Sequence, residues 1–281
     1  MLLDQGATRL QAAGIATARL DAELLLRHVL GWERADVIAR GSEEVPDAAL
    51  ALFEGAIAQR ALRRPLQHLT GHQAFWKHDF IVTPDVLIPR PETELLVETA
   101  LEVIRDVRTP VVVDVGTGSG CIALSLAAER PDARVHATDL SPAALLVAQG
   151  NASRLRLESK VTFHEGDLLD ALGTEAGAVD LVVSNPPYVS AEEWATLEPE
   201  VRDHDPRLAL VSPEGVAGRY GRLFASAARR LRAGGGCVVE IGQEQEDMVA
   251  REARAAGLEV VEVRPDLRGI PRALVARRPP G

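Results

Sequence analysis

The chain has 281 residues, of which 46% are hydrophobic and 26% charged, a composition typical of soluble globular proteins with one large domain or two smaller ones. Its formal net charge of −10 argues against a broad, non-specific grip on nucleic acid, which requires a basic surface, and favours a basic partner. No apolar run is long enough to span a bilayer, and the start MLLDQGATRL lacks a basic segment followed by an apolar core, so we expect a cytoplasmic protein without membrane association.

The chain up to about Thr70 has the apolar spacing of helices. One predicted helix stops at Gly31 and carries an apolar stripe of Leu20, Leu24, Leu25 and Val29. Another starts at Pro46, and its apolar face consists of Leu50, Phe53, Ile57 and Ala61. No strand-like alternation is present here, so we expect residues 1–73 to form a small N-terminal helical domain that recognises a substrate.

A short segment that mixes aromatic, β-branched and proline residues follows the helical part. Two extended pieces, at about 74–82 and 86–88, are separated by Thr83-Pro84-Asp85, which predicts a hairpin that turns at these three residues. We therefore expect residues 74–90 to be a β-hairpin linker.

The remainder, residues 91–281, begins with a predicted helix at about 92–105 that Pro91 or Thr93 helps to start. Strands and helices then alternate. The seven strand-like segments are, in order, VVVDVG, ARVHATD, KVTFHEGD, VDLVVSN, GGGCVVEIG, LEVVEVRP and RALVARR. Between the second and third of them, Ser141 and Pro142 have the positions of an N-cap and a first helical residue. This alternation predicts an α/β fold with a mainly parallel, seven-stranded sheet and helices on both faces.

Nothing in the chain predicts a metal site. The two cysteines, Cys121 and Cys237, lie in apolar or glycine-rich segments typical of a core, so we expect buried, reduced thiols. His68, His72 and His78 cluster near the linker, but no further ligands follow at metal-binding spacing.

A glycine-rich turn, DVGTGSG, follows the first strand of the α/β part. Glycines between a strand and a helix let the backbone approach a ligand. The turn departs from the dinucleotide fingerprint G-x-G-x-x-G, because its third glycine, Gly120, comes one residue early and Cys121 holds the last position. The spacing therefore favours a nucleotide-like ligand with no pyrophosphate.

Three acids stand near the ends of successive strands. Asp114 lies just before the turn, where a carboxylate can hold an ammonium group. Asp139 ends the second strand, 23 residues after Gly116, the place of an acid that binds ribose hydroxyls. Asp167 follows the third strand. Together the acids suit ribose hydroxyls, an adenine amine and a cationic amino-acid tail, which predicts S-adenosylmethionine. Each acid alone is equally compatible with a turn, a helix cap or a loop.

The motif Asn185-Pro186-Pro187-Tyr188 closes the fourth strand at the same edge. Because prolines have no N–H, the turn presents acceptors, and the Asn185 side-chain oxygen and the Pro186 carbonyl can both accept from one NH₂ group. Such a pair would orient the lone pair of an amide or exocyclic amine towards a methyl group by positioning, with no general base in the motif. Tyr188 offers a flat face to a planar substrate. In isolation the motif is equally a proline-stiffened strand exit.

The chain resembles the class I S-adenosylmethionine-dependent methyltransferases, and more narrowly the protein-(glutamine-N5) methyltransferases that modify peptide chain release factors, the PrmC/HemK family. The matching segments extend over nearly all of the chain from Gly71 onward. They are LIPRPETE, DVGTGSGCIALSLA, TDLSPAAL, SNPPYVS, EVRDHDPRLAL and EIG. The resemblance implies the Rossmann-like methyltransferase fold for residues 91–281, with a release factor as protein substrate.

The resemblance also implies roles for individual residues. The residues expected to contact the cofactor are Asp114, Gly116, Thr117, Gly118, Ser119, Gly120, Asp139, Asp167, Leu168 and Asn185. Those expected to bind the glutamine amide of a Gly-Gly-Gln loop are Asn185, Pro186, Pro187 and Tyr188, with Asn185, Pro186 and Tyr188 as the catalytic group. Arg90 and Glu92 either tie the linker to the pocket or form an ordinary surface ion pair.

Two alternatives stay open at this point. The Asn-Pro-Pro-Tyr motif also fits an adenine-N6 methyltransferase acting on DNA or RNA, against which the acidic net charge weighs. A non-catalytic S-adenosylmethionine-binding partner protein is disfavoured by the intact motif. We expect a monomer that forms no stable complex with nucleic acid.

Overall fold

The structure is a computed structural model that describes residues 2–40, 43–173 and 177–281. These residues divide into two compact units. The helical unit contains the residues through His72 together with Glu198–His204. The sheet unit contains Gln73–Leu197 and Asp205–Gly281. No helix among the described residues combines the length and the apolar character needed to cross a membrane.

Helices come first along the chain, and strands that alternate with helices come after them. The helices α1–α13 are, in chain order, Leu2–Ala12, Ala18–Leu30, Arg34–Arg40, Asp47–Ala61, Leu66–Thr70, Glu94–Val103, Cys121–Glu129, Pro142–Leu155, Ala191–Trp194, Pro199–Arg202, Arg207–Leu210, Gly215–Arg230 and Glu246–Ala255. The strands β1–β9 are His72–Phe75, His78–Ile81, Val111–Val115, Arg134–Asp139, Val161–Glu165, Val179–Ser184, Leu231–Glu240, Glu259–Pro265 and Pro271–Arg277. Short 3₁₀ turns occupy Pro91–Thr93 and Leu168–Leu172.

The helical unit encloses a small apolar core between α1, α2 and α4. Its buried side chains include Leu10, Leu25, Phe53 and Ile57. The predicted apolar face of α4 is confirmed at Phe53 and Ile57, and Pro46 precedes the first helical residue instead of being it. These contacts exclude water from a core that no single helix could form alone.

The apolar stripe predicted for α2 is partly wrong. Leu25 is buried as expected, but Leu20 is 54% exposed, and the buried face includes Asp21 and Leu26. The Arg60 guanidinium of α4 explains the difference, because its Nε donates to Asp21 Oδ2 at 2.7 Å and compensates the buried carboxylate. Arg60 lies 39 residues further along the chain, so hydropathy within α2 carries no sign of it.

Arg60 also joins helix α10 to this cluster of charges within the helical unit. Its Nη1 donates to Glu200 Oε1 at 3.0 Å, and Arg63 Nε donates to Glu200 Oε2 at 2.9 Å. Two guanidinium groups therefore hold one carboxylate of the segment Glu198–His204. Charges this poorly exposed stabilise a fold only while they remain paired.

We predict that Asp21→Ala destabilises the helical unit by about 3–5 kcal/mol, because it leaves the buried Arg60 without its nearest counter-charge. Asp4→Ala is the matched control. It removes an ion pair with Arg19 whose side chains are 64% and 66% exposed, and it should cost less than about 1 kcal/mol. Hydrogen exchange of the α2 and α4 amides in the full chain measures both effects. Equal protection in the two variants would contradict the assigned role of Arg60.

A two-stranded sheet of β1 and β2 confirms a hairpin in the linker region, but its turn is not the predicted one. The chain reverses at Trp76 and Lys77, with Trp76 at a φ of +54° in the left-handed region. Residues 83–85 instead form a separate bend, in which the Thr83 hydroxyl donates to the Asp85 carboxylate at 3.0 Å. The segment 86–88 is no strand, because Val86 is buried as part of a small apolar cluster.

The sheet unit is built on a seven-stranded sheet with the order β5-β4-β3-β6-β7-β9-β8. The first four pairings are parallel, and β9 runs antiparallel to both β7 and β8. This confirms the predicted fold class, a mainly parallel α/β sheet. One buried apolar cluster involves α6 and α7, and a second involves α12 and α13. Strand β3 lies between β4 and β6, so the chain reverses its direction of travel across the sheet there, the usual place for a ligand crevice.

Candidate active site

The glycine-rich turn lies at the carboxyl end of β3, between this strand and α7. The backbone N–H groups of Gly116 and Thr117 donate to the Thr138 carbonyl at 2.8 and 3.0 Å. Gly116 and Gly118 have φ of +72° and +55°, in the region that favours glycine. A Cβ on either residue would meet no protein atom within 4 Å, so both leave open space beside the backbone.

Gly120 serves the packing of the sheet unit more than the open side of the turn. A Cβ at this position would lie 3.0 Å from Leu124 Cδ1 and 3.2 Å from Ala148 Cβ. The residue therefore lets the turn approach α7 and α8 closely, which fixes where the turn runs.

Asp139 ties the end of β4 to the turn. Its Oδ2 accepts from the Gly118 N–H at 2.9 Å, and its Oδ1 accepts from the Ser141 N–H at 2.9 Å. Burial raises the pKa of Asp139 above its ordinary value, while these N–H donors lower it. Each carboxylate oxygen has two lone pairs, so capacity remains for ribose hydroxyls.

Asp114 lies beneath the turn and is fully buried. Its Oδ2 accepts from the Thr117 hydroxyl at 2.7 Å and from the Ala123 N–H at 3.1 Å. Its Oδ1 is buried without a hydrogen-bond partner in the described part of the chain. Burial raises the pKa of Asp114 to about 7. The carboxyl thus holds the turn and the start of α7 together.

A cavity of about 360 Å³ opens at this edge of the sheet unit. Eight of the residues predicted to form the site line it, namely Gly116, Thr117, Gly118, Ser119, Asp139, Leu168, Asn185 and Pro187. Five others lie next to the lining without belonging to it, namely Asp114, Gly120, Asp167, Pro186 and Tyr188. The structure therefore brings residues from four separate segments of the predicted site around one space.

Asp167 and Leu168 follow β5 and face different surroundings. The Asp167 carboxylate accepts a hydrogen bond from Arg222 and lies 3.5 Å from the Arg219 guanidinium. Leu168 lines the cavity with a φ of +51°, a conformation that leucine rarely adopts and that its buried side chain holds in place. The apolar part of the cavity wall at this strand end is therefore Leu168.

The strand β6 ends at Ser184, as predicted, and Asn185 reaches the cavity wall. Asn185 Nδ2 donates to Thr93 Oγ1 at 3.1 Å. The Thr93 hydroxyl donates to Glu240 Oε2 at 2.6 Å, and the Tyr188 hydroxyl donates to Glu240 Oε1 at 3.1 Å. The four residues form one hydrogen-bonded network.

Thr93 and Glu240 were not among the predicted site residues. We expected Thr93 to help start a helix, but its side chain makes no cap and instead contacts Glu240. The available signal was an acid at the end of the apolar run CVVE, since a carboxylate is rarely buried in a central strand without a purpose.

Arg90 takes the first of its two expected roles, because it lines the cavity. Its Nη2 donates to Asp205 Oδ2 at 2.7 Å, and the Asp205 side chain is 1% exposed. Burial raises the pKa of Asp205 to about 6, although the charge of Arg90 lowers it. The pair joins the segment before α6 to the segment before α11 within the sheet unit.

Comparison with known families matches both parts of the chain. The family model described as PrmC N-terminal domain matches residues 1–71. The model described as methyltransferase small domain matches residues 91–198.

Individual relatives match at full length. The release factor glutamine methyltransferase of Deinococcus radiodurans is 46% identical over 281 residues, covering 100% of this chain and 98% of the relative. That of Cereibacter sphaeroides is 45% identical, covering 96% of this chain and 95% of the relative. Among solved structures, a methyltransferase from Pyrococcus furiosus aligns with a TM-score of 0.55 at 16% identity, covering 73% of this chain and 91% of that one, which supports the fold.

We predict that Asp139→Asn weakens binding of the product S-adenosylhomocysteine by about tenfold or more. An asparagine keeps one acceptor oxygen, so either the Gly118 N–H or the Ser141 N–H loses its partner, and the charge available to ribose hydroxyls is lost. Isothermal titration calorimetry measures the dissociation constant. Asp170→Asn, at an exposed position after the same sheet edge, is the control and should leave binding unchanged. Unchanged binding in Asp139→Asn would refute the ribose contact.

Proposed function

This chain belongs to the release factor glutamine methyltransferases, and on this premise we propose that it transfers a methyl group from S-adenosylmethionine to the side-chain amide nitrogen of a glutamine in a peptide chain release factor. The observation that carries the proposal is the position of Asn185. Its amide stands at the wall of the cavity that the glycine-rich turn and Asp139 also line. An amide-binding group and a nucleotide-binding turn thereby share one space.

S-adenosylmethionine supplies an electrophilic methyl group. The residues that would hold it are those of the turn, residues 116–119, together with Asp139 and Leu168. The open space beside Gly116 and Gly118 and the spare acceptor capacity of Asp139 fit a ligand with ribose hydroxyls. The acceptor-rich cavity edge also suits a cationic group better than a phosphate.

Asn185 and Pro186 would bind the substrate amide. A glutamine amide is a poor nucleophile because its nitrogen lone pair is delocalised. The Asn185 side-chain oxygen and the Pro186 carbonyl would accept its two N–H bonds and orient the lone pair towards the methyl group. The contribution of these residues is positioning and electrostatic stabilisation, in which no side chain of the motif removes a proton.

Pro187 and Tyr188 would complete the binding site for the planar amide. Pro187 lines the cavity, and Tyr188 follows it with its hydroxyl held by Glu240. That hydrogen bond restricts the ring to one orientation, so its face is a fixed wall. Burial is the main reason why the pKa of Tyr188 is raised well above its ordinary value, which keeps the hydroxyl protonated as a donor.

The division of labour along the chain is part of the proposal. Residues 1–73 would recognise the release factor, 74–90 would link, and 91–281 would carry out the transfer. Two observations support these bounds, since the first family model ends at residue 71 and the helical unit contains the chain through His72. The acidic net charge suits a basic partner that acts on the ribosome, so a cytoplasmic monomer is expected.

The test is methylation with labelled S-adenosylmethionine and two substrates, a release factor and an adenine-containing oligonucleotide. Label on the glutamine of the Gly-Gly-Gln loop, located by mass spectrometry of the peptide, is the expected result. Label on adenine alone would overturn the proposal in favour of an adenine-N6 methyltransferase.

We predict that Asn185→Ala lowers the turnover number by about 10²–10³-fold, the effect of deleting one pre-organised hydrogen-bonding group in a catalytic site. Cofactor affinity should stay nearly unchanged, because Asn185 touches the turn residues through none of its hydrogen bonds. Single-turnover rates and a cofactor titration separate the two effects. Normal turnover in Asn185→Ala would remove the role assigned to the amide.

A further inference from the structure

The orientation of the Asn185 amide decides whether it serves the proposed reaction, so an inference about that orientation rests on the proposed function. An amide has an accepting oxygen and a donating NH₂ group at similar positions. Only the oxygen can accept from the NH₂ of a glutamine. If the amide were flipped, its NH₂ would face the NH₂ of the substrate, two donors would meet, and the substrate would be held poorly. Something must therefore specify which end of Asn185 faces the cavity.

The network behind Asn185 is almost completely shielded from water. Thr93 and Glu240 are 2% and 1% exposed. Thr93 Oγ1 lies 3.1 Å from Asn185 Nδ2 on one side and 2.6 Å from Glu240 Oε2 on the other. The second carboxylate oxygen of Glu240 accepts from the Tyr188 hydroxyl at 3.1 Å. Water cannot take the place of any of these partners.

The hydrogens of this network can be assigned from chemistry alone. An ionised carboxylate only accepts, so the single hydrogen of the Thr93 hydroxyl must point to Glu240. The hydroxyl then has only lone pairs to offer to Asn185. An amide oxygen facing those lone pairs would be repelled, so the amide must place its NH₂ towards Thr93. Its oxygen is thereby left for the cavity, which Asn185 lines.

We propose that Thr93 and Glu240 are positioning residues that fix the Asn185 amide with its oxygen towards the substrate. Glu240 sets the direction of the Thr93 hydroxyl, and Thr93 sets the direction of the amide. Neither residue needs to touch the reacting atoms. Tyr188 takes part by donating to the same carboxylate, which ties the wall of the amide site to the group that orients it.

The direction of this relay reverses when Glu240 binds a proton at Oε2. A protonated carboxyl would donate to Thr93, whose own hydrogen would then turn towards Asn185 and select the flipped amide. Burial raises the pKa of Glu240 to about 7, although hydrogen bonds from Thr93 and Tyr188 lower it. The charged and titratable groups around Glu240 are Arg272, which lowers its pKa, Glu92, which raises it, and the neutral Cys121, Tyr188 and Tyr220. Since the ionised form is the active one, turnover should rise with pH through about 7.

Thr93→Val and Thr93→Ser form the matched test. Valine has the shape of threonine without the hydroxyl, so an NH₂ group facing it would be an unsatisfied buried donor, and the flipped amide would become the favoured one. We expect Thr93→Val to lower the turnover number by about tenfold with unchanged cofactor affinity. Thr93→Ser retains the hydroxyl and should restore turnover. Thermal melting of each variant checks that the fold is intact.

The pH profile separates an orienting role from a structural one. Single-turnover rates on a release factor, from about pH 5.5 to about 9, should show a loss of activity below about 7 in the wild-type chain and in Thr93→Ser. Thr93→Val should lose this acid limb, because Glu240 no longer reaches Asn185. Tyr188→Phe should move the limb to higher pH, since it removes a donor that stabilises the carboxylate.

Each other outcome counts against the relay. A limb that persists in Thr93→Val belongs to another group, such as Asp114, whose pKa is also about 7. Equal turnover in Thr93→Val and Thr93→Ser would likewise refute it. These failures are distinct from failure of the proposed function, in which Asn185→Ala itself would keep normal turnover or glutamine would carry no label.

Discussion

The site depends on the pairing of β3 with β4 on one side and β6 on the other. The register places Val115 opposite Thr138 and opposite Ser184, so three strands end at the same level. The strand ends therefore deliver three groups to one edge, namely the glycine-rich turn, Asp139 and Asn185. A shift of either neighbour by one residue would turn its terminal side chain to the other face of the sheet. The chemistry is thus fixed by backbone hydrogen bonds before any side chain contributes.

A second consequence of this register is that the acids at the strand ends perform different tasks. Asp114 is fully buried and holds the turn to α7, while Asp139 lies at the cavity and holds Gly118. Burial raises the pKa of both carboxyls, but only Asp139 can also meet a ligand in the cavity. Asp167, the third acid, is compensated by Arg219 and Arg222. Three carboxylates that look alike in the sequence therefore bind a turn, a ligand site and a pair of arginines.

Much of this arrangement was predictable from the sequence, and the part that was not has a common cause. The strands, the α/β order and the position of the Asn185 turn result from local patterns of apolar residues, prolines and glycines. The burial of Asp21 and the partnership of Thr93 with Glu240 do not, because the partners are separated by 39 and 147 residues. The hairpin turn at Trp76 was missed for a related reason. A tryptophan at positive φ has no turn signal, whereas Thr83-Pro84-Asp85 has a strong one that serves a different bend.

Two buried acids of this chain show why pairing chemistry, more than burial, separates structure from function. Asp21 faces the guanidinium of Arg60, a full opposite charge, and such a pair serves to keep α2 and α4 together. Glu240 receives only hydroxyl hydrogens from Thr93 and Tyr188, which compensate a charge less well and leave its pKa at about 7. An apolar residue at this position would stabilise the sheet more. A carboxylate retained there at the expense of stability is explained if its hydrogen-bond direction matters, and Asn185 is the group to which that direction is transmitted.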